Sequence, residues 1–284
     1  MSGTTIPTGA GAGRGAGTGA GRDAGVGAGS GTTALRRTAA LARAELTLLS
    51  RTKATLAAAL LVPLTLPFTL RSTVEQMDLK GTGLTVGAIL LPSSIGFALL
   101  FAVYGSLVTV YAARREELVL KRLRTGELRD AEILAGAALP SVATGLAQCL
   151  VLTVACWVTL GIGVPEAPHL VLLGLLLGFL TWPVLAAVTA SFSKSVEGAQ
   201  IAAAPLTLVS LAGSGTFVPL ETLPDGVASF CELLPLTPVI TLIRGGWTGQ
   251  LSAHDATGAL VTALAWTVIA VFAVRRWFRW EPRR

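Results

Sequence analysis

Residues 169–192 read HLVLLGLLLGFLTWPVLAAVTASF. Beyond His169 the stretch carries no ionisable group, and it exceeds the roughly 20 residues an α-helix needs to cross a bilayer's hydrocarbon core. It therefore predicts a membrane span. Pro183 inside it is no obstacle, because neighbouring helices and local adjustments re-satisfy the carbonyl that a proline frees. Gly174-x-x-x-Gly178 offers a face of small residues for close helix packing.

Similar apolar stretches lie on both sides, near 54–70, 84–112, 133–162, 199–218 and 255–274. The first is short and holds Pro63 and Pro67, but Arg51, Lys53 and Arg71 bracket it. Pro92, Pro140 and Pro205 repeat the pattern of one proline per span. Composition agrees: 13% of the residues are charged, where a soluble domain has about 25%, and the mean hydropathy is +0.68. A soluble chain so poor in charge would expose large apolar patches. The expected fold is all-α and polytopic, with six transmembrane helices over residues 53–276.

The net charge of +6 does not point to nucleic acid. The basic residues gather at 114–129 and 275–284, each beside an apolar run, which is how charge sets orientation in a membrane. With a cytoplasmic N-terminus, nineteen of the 22 Lys and Arg fall on the inner side, and only Arg71, Lys80 and Arg244 on the outer. This bias predicts a multi-pass protein of the plasma membrane with both termini cytoplasmic. Arginines outnumber lysines eighteen to four in an Ala/Gly/Leu-rich chain, a usage that fits a high-GC bacterial genome.

Residues 1–33 have glycine at nearly every odd position from Gly9 to Gly31, too little apolar surface to offset ordering entropy, and are expected to be disordered. The odd-only spacing never makes G-x-G-x-x-G, and no G-x-x-x-x-G-K-[ST] occurs in the sequence. Residues 34–52 form an amphipathic pattern: Leu35, Ala39, Ala42, Leu46 and Leu49 share one helical face, and Arg36, Arg43, Thr47 and Ser50 another. They predict an interfacial helix leading into the first span. Residues 277–284 are a basic tail. Cys149 and Cys156 are about 10 Å apart along one helix and Cys231 has no obvious partner, so all three read as unpaired apolar residues.

Two connecting segments stand out. The inner loop 113–132, ARREELVLKRLRTGELRDAE, is able to form a short charged helix, with Glu117 and Lys121 in the favourable i,i+4 order. The outer segment 213–247 is too broken by Pro and Gly for a span and too apolar for a solvated loop, which suits a re-entrant or interfacial hairpin centred on 217–240.

In these two segments the chain resembles the ABC-2 family of exporter permeases. The loop matches the family's charged motif through Glu117, Leu120, Leu123, Arg124, Gly126 and Leu128, with Arg122 beside them. The family's usual Gly-Thr ahead of the first loop leucine is Leu118-Val119 here. The outer segment matches F-x-P-L-x-x-L-P through Phe217, Pro219, Leu220, Leu223 and Pro224. It then matches L-L-P-L-T-P through Leu234, Pro235, Leu236, Thr237 and Pro238, followed by Arg244 and Gly249. The resemblance covers residues 35–280. It implies a coupling loop at 113–130, an outer gate around Phe217–Pro238, and a separate ABC-type subunit that binds ATP and magnesium. It also implies a second permease copy or a sister permease, with no cofactor on this chain.

Rival classes fit less well. Glu132, Glu197, His169 and His254 sit only at span borders, so the interior lacks the charged relay of a proton- or sodium-coupled carrier. A membrane enzyme would need a metal pair or a nucleophile with its base, and no H-E-x-x-H is present. The expectation is that the chain is not an enzyme. Short outer loops and few polar groups favour a drug, an antibiotic or a lipid as cargo. The alternative is a non-transporting membrane anchor, sensor or immunity protein.

Overall fold

Thr85 opens the first described helix: its hydroxyl accepts from the Ala88 amide, one of the donors a helix start leaves without an intrahelical partner. The computed structural model describes residues 85–118, 129–216, 220 and 223–278, and six scattered positions between 65 and 76. The tail 1–33, the interfacial helix 34–52, most of the first predicted span 54–70 and residues 279–284 lie outside the described residues. So does the middle of the inner loop, residues 119–128.

Five described helices are long and apolar enough to span: α1 (Val86–Glu116), α2 (Asp130–Leu160), α3 (Pro168–Phe192), α4 (Val196–Gly213) and α7 (Ala253–Trp277). No strand occurs among the described residues. Caps written in the sequence set the ends. Ser195 and Ser252 accept from Gly198 and Asp255 to start α4 and α7, and left-handed Gly161 stops α2. The prolines expected inside spans, Pro92, Pro140, Pro183 and Pro205, all lie within helices.

The helices alternate in direction, so one end of the bundle carries Arg115, Arg129, Lys194 and Arg275. We call it the basic end. In the most apolar part of α1, 89% of residues are buried, against 17% in α4 and 22% in α7. Thus α1 is the central helix, while α4 and α7 turn outward Ile201, Leu208, Val268 and Phe272, side chains suited to lipid. The middle of α1, Ala98–Gly105, is π-helical. There Tyr104 meets Trp182 of α3 edge-on, centroids 5.2 Å apart, and its hydroxyl lies 2.9 Å from Thr189 Oγ1. Further hydroxyl pairs tie α1 to α2 (Ser106 to Ser141, 2.9 Å) and α3 to α7 (Thr181 and Thr267, 2.6 Å). Each is worth on the order of 0.6 kcal/mol in a bilayer. Cys149, Cys156 and Cys231 are buried and unpaired.

Between α4 and α7 the chain re-enters the bundle. Helix α5 (Asp225–Glu232) and helix α6 (Thr237–Thr248) meet at a bend of 94° between Gly226–Glu232 and Thr237–Thr248. The bend at Leu233–Leu236 reaches inward: a Cβ on Gly96 would lie 2.9 Å from Ile240 and 3.4 Å from Leu236. Gly96 is ten residues into α1, about 15 Å from its start. From there α6 climbs back along α3 and stops at left-handed Gly249. Pro238 in the first turn needs no amide partner. The segment expected as an outer hairpin is thus a sharply bent helix pair whose second arm is buried inside the bundle.

Glycine makes that burial fit. Cβ atoms on Gly174 and Gly178 of α3 would come 3.1 Å from Leu242 and Ile243 and 3.3 Å from Val239. A Cβ on Gly246 of α6 would lie 2.9 Å from both the Ala167 carbonyl oxygen and the Val171 amide nitrogen. These are backbone atoms and cannot step aside as a side-chain tip does. The Gly246 carbonyl also accepts from the Ala167 amide at 2.8 Å.

At the basic end the helix of α1 runs past the expected span limit near 112 to Glu116, so the helical part of the inner loop begins without a break from α1. Nothing in Ala113–Glu116 breaks a helix. The stop comes at Leu118, whose φ is 58°. This is where the permease motif usually has glycine, the residue that adopts this region without strain.

Two outcomes follow for stability in detergent. Gly246→Val should destabilise the protein by about 1–3 kcal/mol through overpacking, whereas Gly258→Ala, where a Cβ meets nothing within 4 Å, should be neutral or better; thermal unfolding of the two purified variants compares them. Leu118→Gly should relieve about 1 kcal/mol of backbone strain, read as slower proteolysis of the α1–α2 connection.

Candidate functional site

The basic end is built around two adjacent residues of α1. Arg115 lies on the buried face set by Leu107, Val108 and Tyr111, and only 1% of its surface is exposed. Its guanidinium donates from Nη1 to the Ala190 carbonyl at 2.7 Å and from Nη2 to the Ser193 carbonyl. Those carbonyls belong to the last turn of α3 and the residue that ends it. The final carbonyls of a helix lack intrahelical donors and carry the negative end of its dipole, so a planar cation with paired donors suits them.

Glu116 works on the next helix. Its Oε1 accepts from the Val196 amide at 2.9 Å, at the positive end of α4. With Ser195 taking the Gly198 amide, two of the first α4 donors are satisfied. Arg115 and Glu116 together clamp the turn between α3 and α4. Tyr111 adds a hydrogen bond from its hydroxyl to the Leu134 carbonyl of α2, at 3.1 Å.

The predicted loop residues begin just beyond this clamp. Glu117 is the C-cap of α1, its amide donating to the Ala113 carbonyl. Leu120, Arg122, Leu123, Arg124 and Gly126 lie outside the described residues, as does the expected Lys121 partner of Glu117.

At the opposite end the hairpin residues separate. Phe217 and Pro219 lie outside the described residues. The Leu223 amide donates to the Leu220 carbonyl, and Pro224 precedes α5 as its cap. Pro235 is buried at the bend. Arg244 is buried within α6 instead of lying in an outer loop, and its Nη2 donates to the Gly215 carbonyl at 2.6 Å. Ser93 of α1 donates to the adjacent carbonyl, Thr216 O, at 2.6 Å. The chain leaving α4 is thus held from two sides. A cavity of about 550 Å³ opens at this end among Arg71, Thr85, Gly161, Glu166 and Trp247.

Sequence reading overlooked Arg115, Glu116 and Ser93. Arg115 was legible in principle, because helical spacing continues Leu107, Val108 and Tyr111 to position 115. Which carbonyls it would reach was not. Of the border residues, His254 is 98% exposed beside Asp255, and Glu132 accepts from the Arg129 amide at 3.0 Å to cap α2. Among the described residues no three His, Cys, Asp or Glu side chains gather as a metal site would need.

No curated protein is similar enough in sequence to be matched to this chain. The profile of the ABC-2 type transporter family, however, matches residues 36–247, a stretch that includes the clamp, the inner loop and nearly all of the re-entrant hairpin. A membrane bundle with these connections, matched over most of its length, belongs to the ABC-2 type transporter family as a membrane-spanning permease component.

Proposed function

We propose that this chain is the permease subunit of an ATP-driven exporter and that it carries a hydrophobic small molecule, such as a drug or antibiotic, or a lipid, outward across the plasma membrane. The observation that carries the reading is family membership in a sequence that contains no phosphate-binding loop. ATP and magnesium then belong to a separate ABC-type subunit. That subunit docks at the basic end on the part of the 113–130 coupling loop that lies beyond Glu116, and both termini of the chain lie on the same cytoplasmic side. A second copy of the chain, or a sister permease, completes the path. A hydrophobic cargo agrees with the buried interior, whose described polar side chains are mostly uncharged hydroxyls. The re-entrant hairpin is the outer gate, and the cavity beside α6 lies at its mouth.

Affinity capture from mildly solubilised native membranes should bring down a stoichiometric partner bearing Walker A and ABC signature motifs. Recovery of the folded chain alone would overturn the reading in favour of an anchor or immunity role. The double variant Arg122→Glu, Leu123→Glu should insert normally and lose that partner; unchanged capture would remove the coupling loop from residues 113–130.

The gate has its own test. A Cβ at position 213 would lie 3.2 Å from Cys231 Sγ, close to the geometry of a disulfide. Gly213→Cys should therefore cross-link to Cys231 on oxidation and tie α4 to α5. Efflux of a hydrophobic fluorescent dye from vesicles should then stop and return on reduction. Full efflux in the cross-linked protein would show that the hairpin need not move.

A further inference from the structure

We infer that Arg115 and Glu116 are the positioning pair through which the coupling loop moves the outer hairpin, an inference that rests on the permease reading above and supplies its mechanical link. Leu118, where the chain turns away toward 119–128, is only three residues from Arg115. A displacement arriving there reaches α1 first. Because Arg115 holds the last carbonyls of α3 and Glu116 holds the first amide of α4, the turn at 193–195 moves with it.

The choice of residues argues for a linkage beyond ordinary topology. Arg275 and Arg276, also at the basic end, are exposed, as residues that merely set orientation are. Arg115 is buried, which costs desolvation that only well-placed acceptors offset. A helix end on a lipid-facing bundle does not need a cation from another helix to close it, since Ser or Gly with water suffices. What a guanidinium from α1 adds is attachment between helices.

Helix α3 is suited to carry the motion onward. It has 25 residues, about 37 Å of length, and reaches from the clamp to the opposite end. Along it, Gly174 and Gly178 bring α6 into backbone-range contact, and Gly246 seats α6 against the start of α3. Side chains at such contacts have no slack to absorb a shift. Pulling on Ala190 and Ser193 therefore shifts the surface on which the re-entrant arm rests.

The test uses the full chain captured with its ATPase and placed in lipid nanodiscs. Cys149, Cys156 and Cys231 are replaced by alanine, and Gly226→Cys, where a Cβ meets nothing within 4 Å, carries an environment-sensitive fluorophore on the hairpin. The readouts are ATP hydrolysis and the fluorescence change on adding ATP with vanadate. Arg115→Gln and Glu116→Ala should keep the ATPase bound and hydrolysing within about twofold of the parent, while the hairpin response falls about fivefold or more, the lower bound of a typical coupling energy. Glu116→Gln, which keeps an acceptor, should respond like the parent, and Arg115→Lys, with a point charge in place of a fork, should be intermediate. Should Arg115→Gln fail to fold, the exposed Glu116 pair decides alone. A full response per assembled complex in Glu116→Ala, even with lower yield, would reduce the pair to a structural cap and overturn the inference. If the parent complex holds an ATPase but its hairpin ignores nucleotide, both the inference and the outer-gate assignment fall. If no ATPase is captured at all, the exporter reading is what has failed.

Discussion

Every helix in this protein must be held by contact, because in a bilayer lipid tails are as apolar as leucine and burial alone draws no helix to another. The most extensive contact among the described helices is the one between α3 and α6. A twelve-residue helix that does not span would be an unstable guest in hydrocarbon. It is kept there by glycines on both partners and by the hydrogen bond from the Ala167 amide to the Gly246 carbonyl. The rest follows from accommodating it. Helix α1 becomes central and takes the bend of the hairpin at Gly96, while α4 and α7 are displaced to the lipid boundary.

Pairing polar groups is the second constraint, and several of the pairs are short reaches between neighbouring helices. Tyr104 with Thr189, Ser106 with Ser141, and Thr181 with Thr267 join helices pairwise. The two buried cations follow the same rule at the two ends of the bundle. Arg115 donates to the end of α3, and Arg244 donates to the strand of chain leaving α4. Neither is an orientation residue in a loop. Each turns a carbonyl that a helix end or a turn leaves open into a link between separate segments.

Much of this was readable from residue order. The spans announced themselves by length and lack of charge, because a bilayer imposes its thickness on any sequence that crosses it. Starts at Thr85, Ser195 and Ser252 were ordinary capping residues in ordinary places. That the segment before α7 is not one straight helix was legible through its mixture of proline, glycine and apolar residues. The inward side of α1 was not legible at its basic end, because Arg114, Arg115 and Glu116 look alike as a charged run in sequence. A buried arginine differs from an exposed one only by what stands opposite, and the opposing carbonyls lie 75 and 78 positions away.

By itself the sequence determined that this is a polytopic helical membrane protein, roughly where its spans lie, and the order of motifs that marks its family. Those properties are local or additive: hydropathy, capping and spacing act within a window of one helix. Only the tertiary structure decided which helix is central, how deep the hairpin reaches, and that Arg115 and Glu116 grip the turn between α3 and α4. These depend on pairings between distant positions, where a missing Cβ or a carbonyl without a helical donor on one segment has meaning only once another segment is packed against it.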